Sequence, residues 1–444
     1  MNSILKTTKK LIPKKLLAAI QPAYHYCLAV LGAFIYRFPS EKMIVIGVTG
    51  TKGKTSAINF IWSALTGGGY KTGIISTANI RIGDKEFLNK YHMTMPGRFV
   101  IQEFMRKMVN EGCKYCLVET TSEGIKQSRH VGINYDTVVF TNLSPEHLQS
   151  HGGSFENYKN KKAELFAKLS KLPRKIIDGK KIEKIIIVNK DSEHSDFFLN
   201  FPADKKITFG IENKADLEAK EIKETSSGVL FKVDNSQFEL SILGKFNVFN
   251  ALPAIAITRL ANIPDDLTKK GLKELEIIPG RMEIINEGQN FTMIVDYAHE
   301  KQSMTKVLET AQTIKEIGKK IFVLLGAEGG GRDKAKRAHM GEIVAKLADY
   351  VIVSNVDPYE DDPKEILENI ATVAEKFGKK RNENLFVIED RREGIRKTIE
   401  LAKEKDIVII TGKGAEQSMV IGGKTFPWDD RIVVREELKR KLNK

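Results

Sequence analysis

From Met43 to about Asn262, short continuous apolar runs alternate with segments whose apolar residues recur at helical spacing. Strand-like runs lie at 43–49, 72–76, 115–119, 136–141 and 184–189, and helical patterns at 55–66, 97–111 and 155–170. Uninterrupted apolar strands separated by helices predict an α/β fold with a mostly parallel sheet and helices on both faces. Residues 206–243 change character: short alternating runs such as Gly228-Val229-Leu230-Phe231-Lys232-Val233, broken by Asn and Ser, predict a β-hairpin insertion. A helical segment from Asn250 to Ala261 follows, and the turn signal Ile278-Pro279-Gly280 marks a domain boundary. A second alternation, with strands at 291–296, 320–326, 350–354, 384–388 and 406–411, predicts a smaller Rossmann-like α/β domain. The chain thus reads as an N-terminal segment 1–42, a central domain 43–278 and a C-terminal domain 279–444.

The N-terminal segment carries Lys6, Lys9, Lys10, Lys14 and Lys15 before an uncharged stretch from Leu16 to Tyr36. The stretch is long enough to span a bilayer, but Gln21, Pro22 and His25 interrupt it. Three readings stand: helices packed on the next domain, a basic amphipathic anchor at a membrane surface, or a true span.

Charge and cysteine content narrow the partners. The 444 residues hold 71 basic and 57 acidic side chains, a net charge of +14. That balance suits anionic ligands; the lysines are dispersed and no nucleic-acid recognition motif accompanies them, so nucleic acid is not expected. Cys113 and Cys116 have metal-like spacing but fall on an apolar strand run, where i and i+3 point to opposite faces. With Cys27 they read as structural thiols of a reducing cytoplasm.

Chemistry enters at Val48-Thr49-Gly50-Thr51-Lys52-Gly53-Lys54-Thr55, set between an apolar strand run and the helical run Ser56-Ala57-Ile58. Strand, Gly-rich turn, Lys-Thr and helix is the layout of a phosphate-binding loop. Backbone N–H groups from Gly50 to Ser56 close on phosphate oxygens, Lys54 neutralises the terminal phosphates and Thr55 offers a hydroxyl to Mg²⁺. Val48 stands where the general pattern has Gly, which points to one branch of such nucleotide-binding enzymes.

Further clusters follow in order. They are Phe140-Thr141-Asn142-Leu143-Ser144-Pro145-Glu146-His147, Tyr158-Lys159-Asn160-Lys161-Lys162-Ala163, Gly244-Lys245-Phe246-Asn247-Val248-Phe249-Asn250, Gly280-Arg281-Met282-Glu283, Asp296-Tyr297-Ala298-His299 and Gly412-Lys413-Gly414-Ala415-Glu416. Together with the loop they resemble the Mur ligases over residues 43–444, and most of all the MurE type, the UDP-N-acetylmuramoyl-tripeptide synthetases. The resemblance implies an ATP-dependent acid–amino-acid ligase of peptidoglycan precursor synthesis. A carboxylate would be activated as an acyl phosphate and attacked by an amine, with two Mg²⁺ ions offsetting the gathered charge. It implies Thr55 on the first ion and Glu119 with His147 on the second. Lys162 falls where the family carries a carbamylated lysine that helps hold that ion. Lys54, Lys162, His147 and Arg281 would carry catalysis. Asn247 and Asn250 would lie near the adenine, Arg281 at the γ-phosphate and Asp296 at the ribose, once the second domain closes on the first. Thr94, Thr121, Ser122, Gln127 and Arg129 would meet the acceptor, a UDP-MurNAc-dipeptide-like molecule, and Asp357, Gly412 and Glu416 the incoming amino acid. The implied protein is a cytoplasmic monomer, with peripheral membrane contact through the N-terminal segment left open.

Three departures bear on specificity. Only about 42 residues precede the loop strand, where MurE enzymes carry a UDP-gripping domain. Gln149 replaces a family Asp. Val356-Asp357-Pro358-Tyr359 stands where diaminopimelate-adding members have Asp-Asn-Pro-Arg, so Tyr359 disfavours diaminopimelate and Asp357 would suit a basic side chain. The alternatives are a γ-glutamyl ligase of the folylpolyglutamate type, a ligase on a lipid-linked or other carboxylate acceptor, and a non-catalytic nucleotide-binding module.

Overall fold

A computed structural model describes residues 14–91, 93–146, 148–331 and 334–443. His147, Arg332 and Asp333 therefore lie outside the described residues, as does most of the basic N-terminal cluster. Two units emerge: Met1–Phe87 with Met93–Glu218 and Leu252–Thr268, and Leu88–His92 with Ala219–Ala251 and Lys269–Lys444.

The first unit opens with helix α1 (Lys14–Ile35), followed by β1 (Ile44–Thr49), α2 (Lys54–Gly67), β2 (Thr72–Ile75), β3 (Asn79–Ile82) and β4 (Lys85–Leu88, its last residue across the division). Next come α3 (Arg98–Asn110), β5 (Tyr115–Glu119), β6 (Thr137–Phe140), α4 (Phe155–Leu169), β7 (Ile185–Asn189) and β8 (Lys205–Gly210). Strands β8, β7, β6, β1, β5 and β2 lie side by side and parallel. The central strands β5, β6 and β7 are buried along their whole length, as strands covered on both faces must be. Helix α3 shows why its segment packs: Ile101, Met105 and Met108 recur at i, i+4, i+7 and are buried. Helix α4 begins where Ser154 Oγ accepts from the Asn157 N–H at 3.2 Å.

The expected strands and helices of this region are present within a residue or two, except that the helix expected from Asn250 begins at Phe246 and runs to Leu260. Residues 206–243 differ from a simple hairpin. Their first run is β8, parallel to β7; β9 (Leu217–Thr225), β10 (Gly228–Val233) and β11 (Ser236–Leu240) then form an antiparallel meander. From Ala219 onward the meander groups with the second unit, where Ser241 Oγ donates to the Lys273 carbonyl at 2.6 Å. The unit division near Lys269 thus falls some residues before the turn at Pro279-Gly280.

The second unit builds a six-stranded sheet in the order β12 (Glu283–Ile285), β13 (Thr292–Asp296), β17 (Ile407–Thr411), β14 (Ile321–Leu325), β15 (Tyr350–Val353), β16 (Leu385–Val387). Only the β12–β13 pair is antiparallel. Its core holds Val295, Leu324, Ile352, Ile395, Val408 and Ile410.

Helix α1 resolves one open reading. Arg106 of α3 donates to the carbonyls of Tyr36 (2.8 and 3.0 Å) and Arg37 (3.0 Å), placing a cation at the C-terminal end of α1. Ala29 and Ala33 are buried on the same side. Among the described residues no helix is long and apolar enough to cross a membrane.

Candidate functional site

In the first unit the phosphate loop runs from the end of β1 into α2. Gly50 has φ +150°, and a Cβ there would lie 2.0 Å from Thr141 Oγ1, so the loop has room only for glycine. Gly53 takes φ +79° as the N-terminal cap of α2, leaving the first N–H groups of that helix without intrahelical partners. The loop is latched from behind by the segment after β6. Thr51 N–H donates to the Asn142 carbonyl and Lys52 N–H to Asn142 Oδ1, both at 2.9 Å. Thr141 Oγ1 donates to the Lys52 carbonyl at 2.7 Å, and Lys52 pairs with Glu146 at 2.9 Å. Lys54 Nζ donates to the Thr51 carbonyl at 2.8 Å.

Thr55 Oγ1 donates to Glu119 Oε2 at 2.9 Å, and the same oxygen accepts the Thr77 N–H at 2.9 Å. Glu119 is buried at the end of β5, yet its Oε1 makes no hydrogen bond among the described residues. Thr77 Oγ1 in turn sits 2.8 Å from the Thr94 hydroxyl.

Lys162 is the most unusual residue of this site. Tyr158, Lys162, Leu165, Phe166 and Leu169 form the buried stripe of α4, so the lysine occupies a position where the helical period asks for an apolar side chain. Its Nζ donates to the Gly50 carbonyl at 2.8 Å and lies 4.6 Å from the Tyr158 ring centroid. No carboxylate is within ion-pair distance among the described residues. Burial, reinforced by the Lys54 cation, holds its pKa well below 10.5; Glu146 and Glu119 pull the other way without prevailing. The ammonium form is disfavoured by burial next to the phosphate loop.

Thr121, Ser122, Gln127 and Arg129 gather around the short helical turn Ser122–Lys126. Thr121 Oγ1 caps that turn by accepting the Gly124 N–H at 3.0 Å, and Ser122 Oγ is 3.1 Å from His151 Nε2. Arg129 bonds the Met95 carbonyl and Gln127 Oε1 (2.6 Å for the latter), and Gln127 donates to Glu123 Oε1 at 2.6 Å. Arg98, the first residue of α3, bonds the Gln127 carbonyl, and the neighbouring Arg129 helps burial lower its pKa. The Nε atoms of Arg98 and Arg129 and Glu123 Oε2 are buried without hydrogen-bond partners. Orphaned guanidinium donors beside the Thr94 loop fit an anionic ligand group. Sequence reasoning missed Arg98; its signal is a cation directly after Pro96-Gly97 at a helix start.

The second unit holds the remaining expected residues. Lys413 is fully buried between Asp357 (2.7 Å) and Glu416 (2.6 Å). Burial alone would depress its pKa, but the two carboxylates override that and raise it. Asp357 spends its other oxygen on the Val420 N–H at 2.7 Å, so both oxygens are engaged within the fold. Glu416 also accepts from the Tyr297 hydroxyl at 3.2 Å, and burial raises its carboxyl pKa. The Arg281 guanidinium stacks 4.3 Å from the Tyr297 ring centroid. Asp296 accepts the Met282 and Ala298 N–H groups, each at 2.7 Å. Asn250 donates to Asn247 Oδ1 at 2.9 Å, and Asn247 to the Leu243 carbonyl at 2.7 Å. Gly412 has φ +106°, and Tyr359 sits at φ +54° in a bridge to Ile421.

Comparison with known proteins decides the affiliation. Residues 48–258 match the Mur ligase middle domain and residues 280–414 the Mur ligase, glutamate ligase domain. A UDP-N-acetylmuramoyl-L-alanyl-D-glutamate–2,6-diaminopimelate ligase of Geobacillus kaustophilus is 35% identical over 419 residues, 93% of this chain and 82% of that protein. The chain belongs to the Mur ligase family. A UDP-N-acetylmuramyl-tripeptide synthetase of Roseiflexus is also 35% identical, covering 94% of this chain and 82% of the relative. The solved structure of a UDP-N-acetylmuramoyl-L-alanyl-D-glutamate–2,6-diaminopimelate ligase superposes with a TM-score of 0.61 at 27% identity, over 90% of this chain and 79% of the other. In this Mur ligase the buried Lys162 and the Thr55–Glu119 pair therefore sit within the matched middle domain.

Proposed function

We propose that this chain is an ATP-dependent acid–amino-acid ligase of the MurE type, joining an amino acid to a peptide carboxylate in cytoplasmic peptidoglycan precursor synthesis. The acceptor carboxylate is activated as an acyl phosphate; the amine of the amino acid attacks its carbonyl carbon, and phosphate leaves. The observation that carries the reading is the buried Lys162, with no carboxylate within ion-pair distance among the described residues and its Nζ held 2.8 Å from the Gly50 carbonyl of the phosphate loop.

In this reading the N–H groups from Gly53 to Ser56 at the open N-terminus of α2, together with the Lys54 ammonium, bind the phosphates and stabilise the charge that develops on transfer, while Thr51 and Lys52 hold the shape of the loop that begins at Gly50 through their N–H bonds to Asn142. The donor set suits Mg²⁺: a hydroxyl (Thr55) and a buried carboxylate with an unused oxygen (Glu119) are hard ligands, and Mg²⁺ takes few protein ligands beside phosphate. His147 is assigned to a second ion. Bound there, Mg²⁺ would polarise phosphoryl oxygens and offset negative charge. In its unprotonated form, which burial favours, Lys162 Nζ would attack the carbon of CO₂: an N–C bond forms, one C=O π pair moves to oxygen, and the nitrogen gives a proton to solvent. The resulting carbamate would turn a buried amine into an anion for the second ion.

Thr94, Thr121, Ser122, Gln127 and Arg129 are assigned to the acceptor, with Arg129 on its anionic group. Arg281, Asn247, Asn250 and Asp296 are assigned to the nucleotide, and Glu416 and Gly412 to the amino acid. Tyr359 offers no cation for a second carboxylate, which disfavours diaminopimelate as the added amino acid. Asp357, already bound to Lys413, positions that lysine. The test is product analysis with ATP, Mg²⁺, the UDP-MurNAc-dipeptide and single amino acids. An amide product with one amino acid is expected; ATP binding without product from any of them contradicts the assignment.

A further inference from the structure

Helix α1 has two faces of opposite fate and no charge on either from Leu16 to Tyr36. One face is buried by residues at i, i+3 and i+4 spacing: Ala29, Gly32 and Ala33, with Gly32 against Phe99 of α3. The other leaves Tyr24, Leu31, Phe34 and Ile35 in solvent, Phe34 with 67% of its surface exposed. Phe38 extends the strip past the helix end at 41%. Seven of the nineteen exposed large apolar side chains among the described residues lie between Tyr24 and Phe38, within about four helical turns.

We propose that this face of α1 lies in the plane of an anionic membrane surface. Three observations favour a bilayer over other occupants. First, Lys6, Lys9, Lys10, Lys14 and Lys15 directly precede the strip, and Arg37 follows it, which is complementary to anionic headgroups. A second copy would bring the same lysines and another net +14 against them. Second, the strip mixes tyrosine and phenylalanine with aliphatic residues, the composition of an interface rather than a hydrocarbon interior. Third, a transmembrane pose is excluded by the face already packed on α3 and clamped by Arg106 at the Tyr36 and Arg37 carbonyls. The same clamp fixes the C-terminal end of the helix to α3 of the first unit, so docking would tether that unit to the bilayer.

The experiment is co-sedimentation of the full chain with vesicles of phosphatidylcholine, with and without phosphatidylglycerol, at low and high salt. Binding to the phosphatidylglycerol vesicles alone, weakened by salt, is expected. Leu31→Glu/Phe34→Glu should lower it at least roughly tenfold, as when two such side chains stay in water. Nucleotide binding of that variant should match the parent and its unfolding midpoint should change little, because Leu31 and Phe34 are exposed and Phe34 rests on the likewise exposed Phe38 ring. No binding to anionic vesicles, or undiminished binding by the variant, overturns the proposal. So does a dimer in vesicle-free sedimentation velocity that the double variant dissolves, which would assign the face to a second copy.

Discussion

Two buried lysines, one in each unit, have been given opposite electrostatic settings. Lys413 sits between Asp357 and Glu416 at 2.7 and 2.6 Å, and those carboxylates hold it as a cation. Lys162 has a backbone carbonyl and an aromatic ring as neighbours and another cation nearby, and its pKa is driven down. Burial penalises the ammonium at both places; what differs is whether the fold supplies compensating anions. Where it does, the lysine organises neighbours. Where it does not, the ammonium form is disfavoured and the amine is more readily available for chemistry.

The sharpest way to break this contrast is to replace each lysine by methionine, which keeps length and removes the amine. Lys413→Met strands two carboxylates and should cost about 3–5 kcal/mol in unfolding free energy. That loss should shrink at acid pH as the carboxylates take up protons. Lys162→Met should leave stability unchanged or raised, yet lower turnover by about 10²–10³, the usual effect of deleting one preorganised charge-stabilising group. Denaturant titration and steady-state rates on both variants would separate the roles; equal stability losses would end the distinction.

The pH dependences should run in opposite senses. Lys162 has a folded pKa below its unfolded value of 10.5, so wherever pH lies between the two the unfolded chain binds more protons. Its destabilising contribution therefore grows as pH falls from that value, and Lys162→Met should gain on the parent over the same range. Lys413 has a folded pKa above 10.5, so its stabilisation is complete below that pH and is lost as pH rises through the folded value. Unfolding midpoints across pH, compared between parent and variants, read both slopes.

A smaller effect sharpens the acceptor side. Arg129→Lys keeps the charge but loses the planar fork that reaches both Met95 and Gln127. We expect the KM for the acceptor to rise about tenfold, the equivalent of 1.4 kcal/mol, with kcat nearly unchanged. An unchanged KM would remove Arg129 from the acceptor site.

Much of the architecture was legible because both sheets are mainly parallel, and fully buried strands announce themselves as continuous apolar runs. The β3–β4 pair was not, since Lys85–Leu88 is short and mostly exposed and carries no apolar alternation. The phosphate loop was legible from its glycines and Lys54-Thr55 set between a strand run and a helical run, although Val48 breaks the general glycine spacing. Lys162 needed the family resemblance, although its place on the Tyr158–Leu165–Phe166–Leu169 stripe of α4 is a local signal that could have marked it. The Lys413–Asp357 pair was beyond reach of local reading: 56 residues separate the partners, and an Asp before a proline looks like a turn. That pairing shows Asp357 engaged within the fold, where the sequence suggested a contact with a basic substrate side chain.

The central claim is that this site makes an amide bond at the expense of ATP. Its most direct test is phosphate release with ATP, Mg²⁺ and UDP-N-acetylmuramoyl-L-Ala-D-Glu, titrated with single amino acids and followed by product mass. The account predicts release that requires both the acceptor and one amino acid other than diaminopimelate, with a product heavier by that residue. Bound ATP with no acceptor-dependent release from any amino acid, or the same release from Lys162→Met as from the parent, would contradict it.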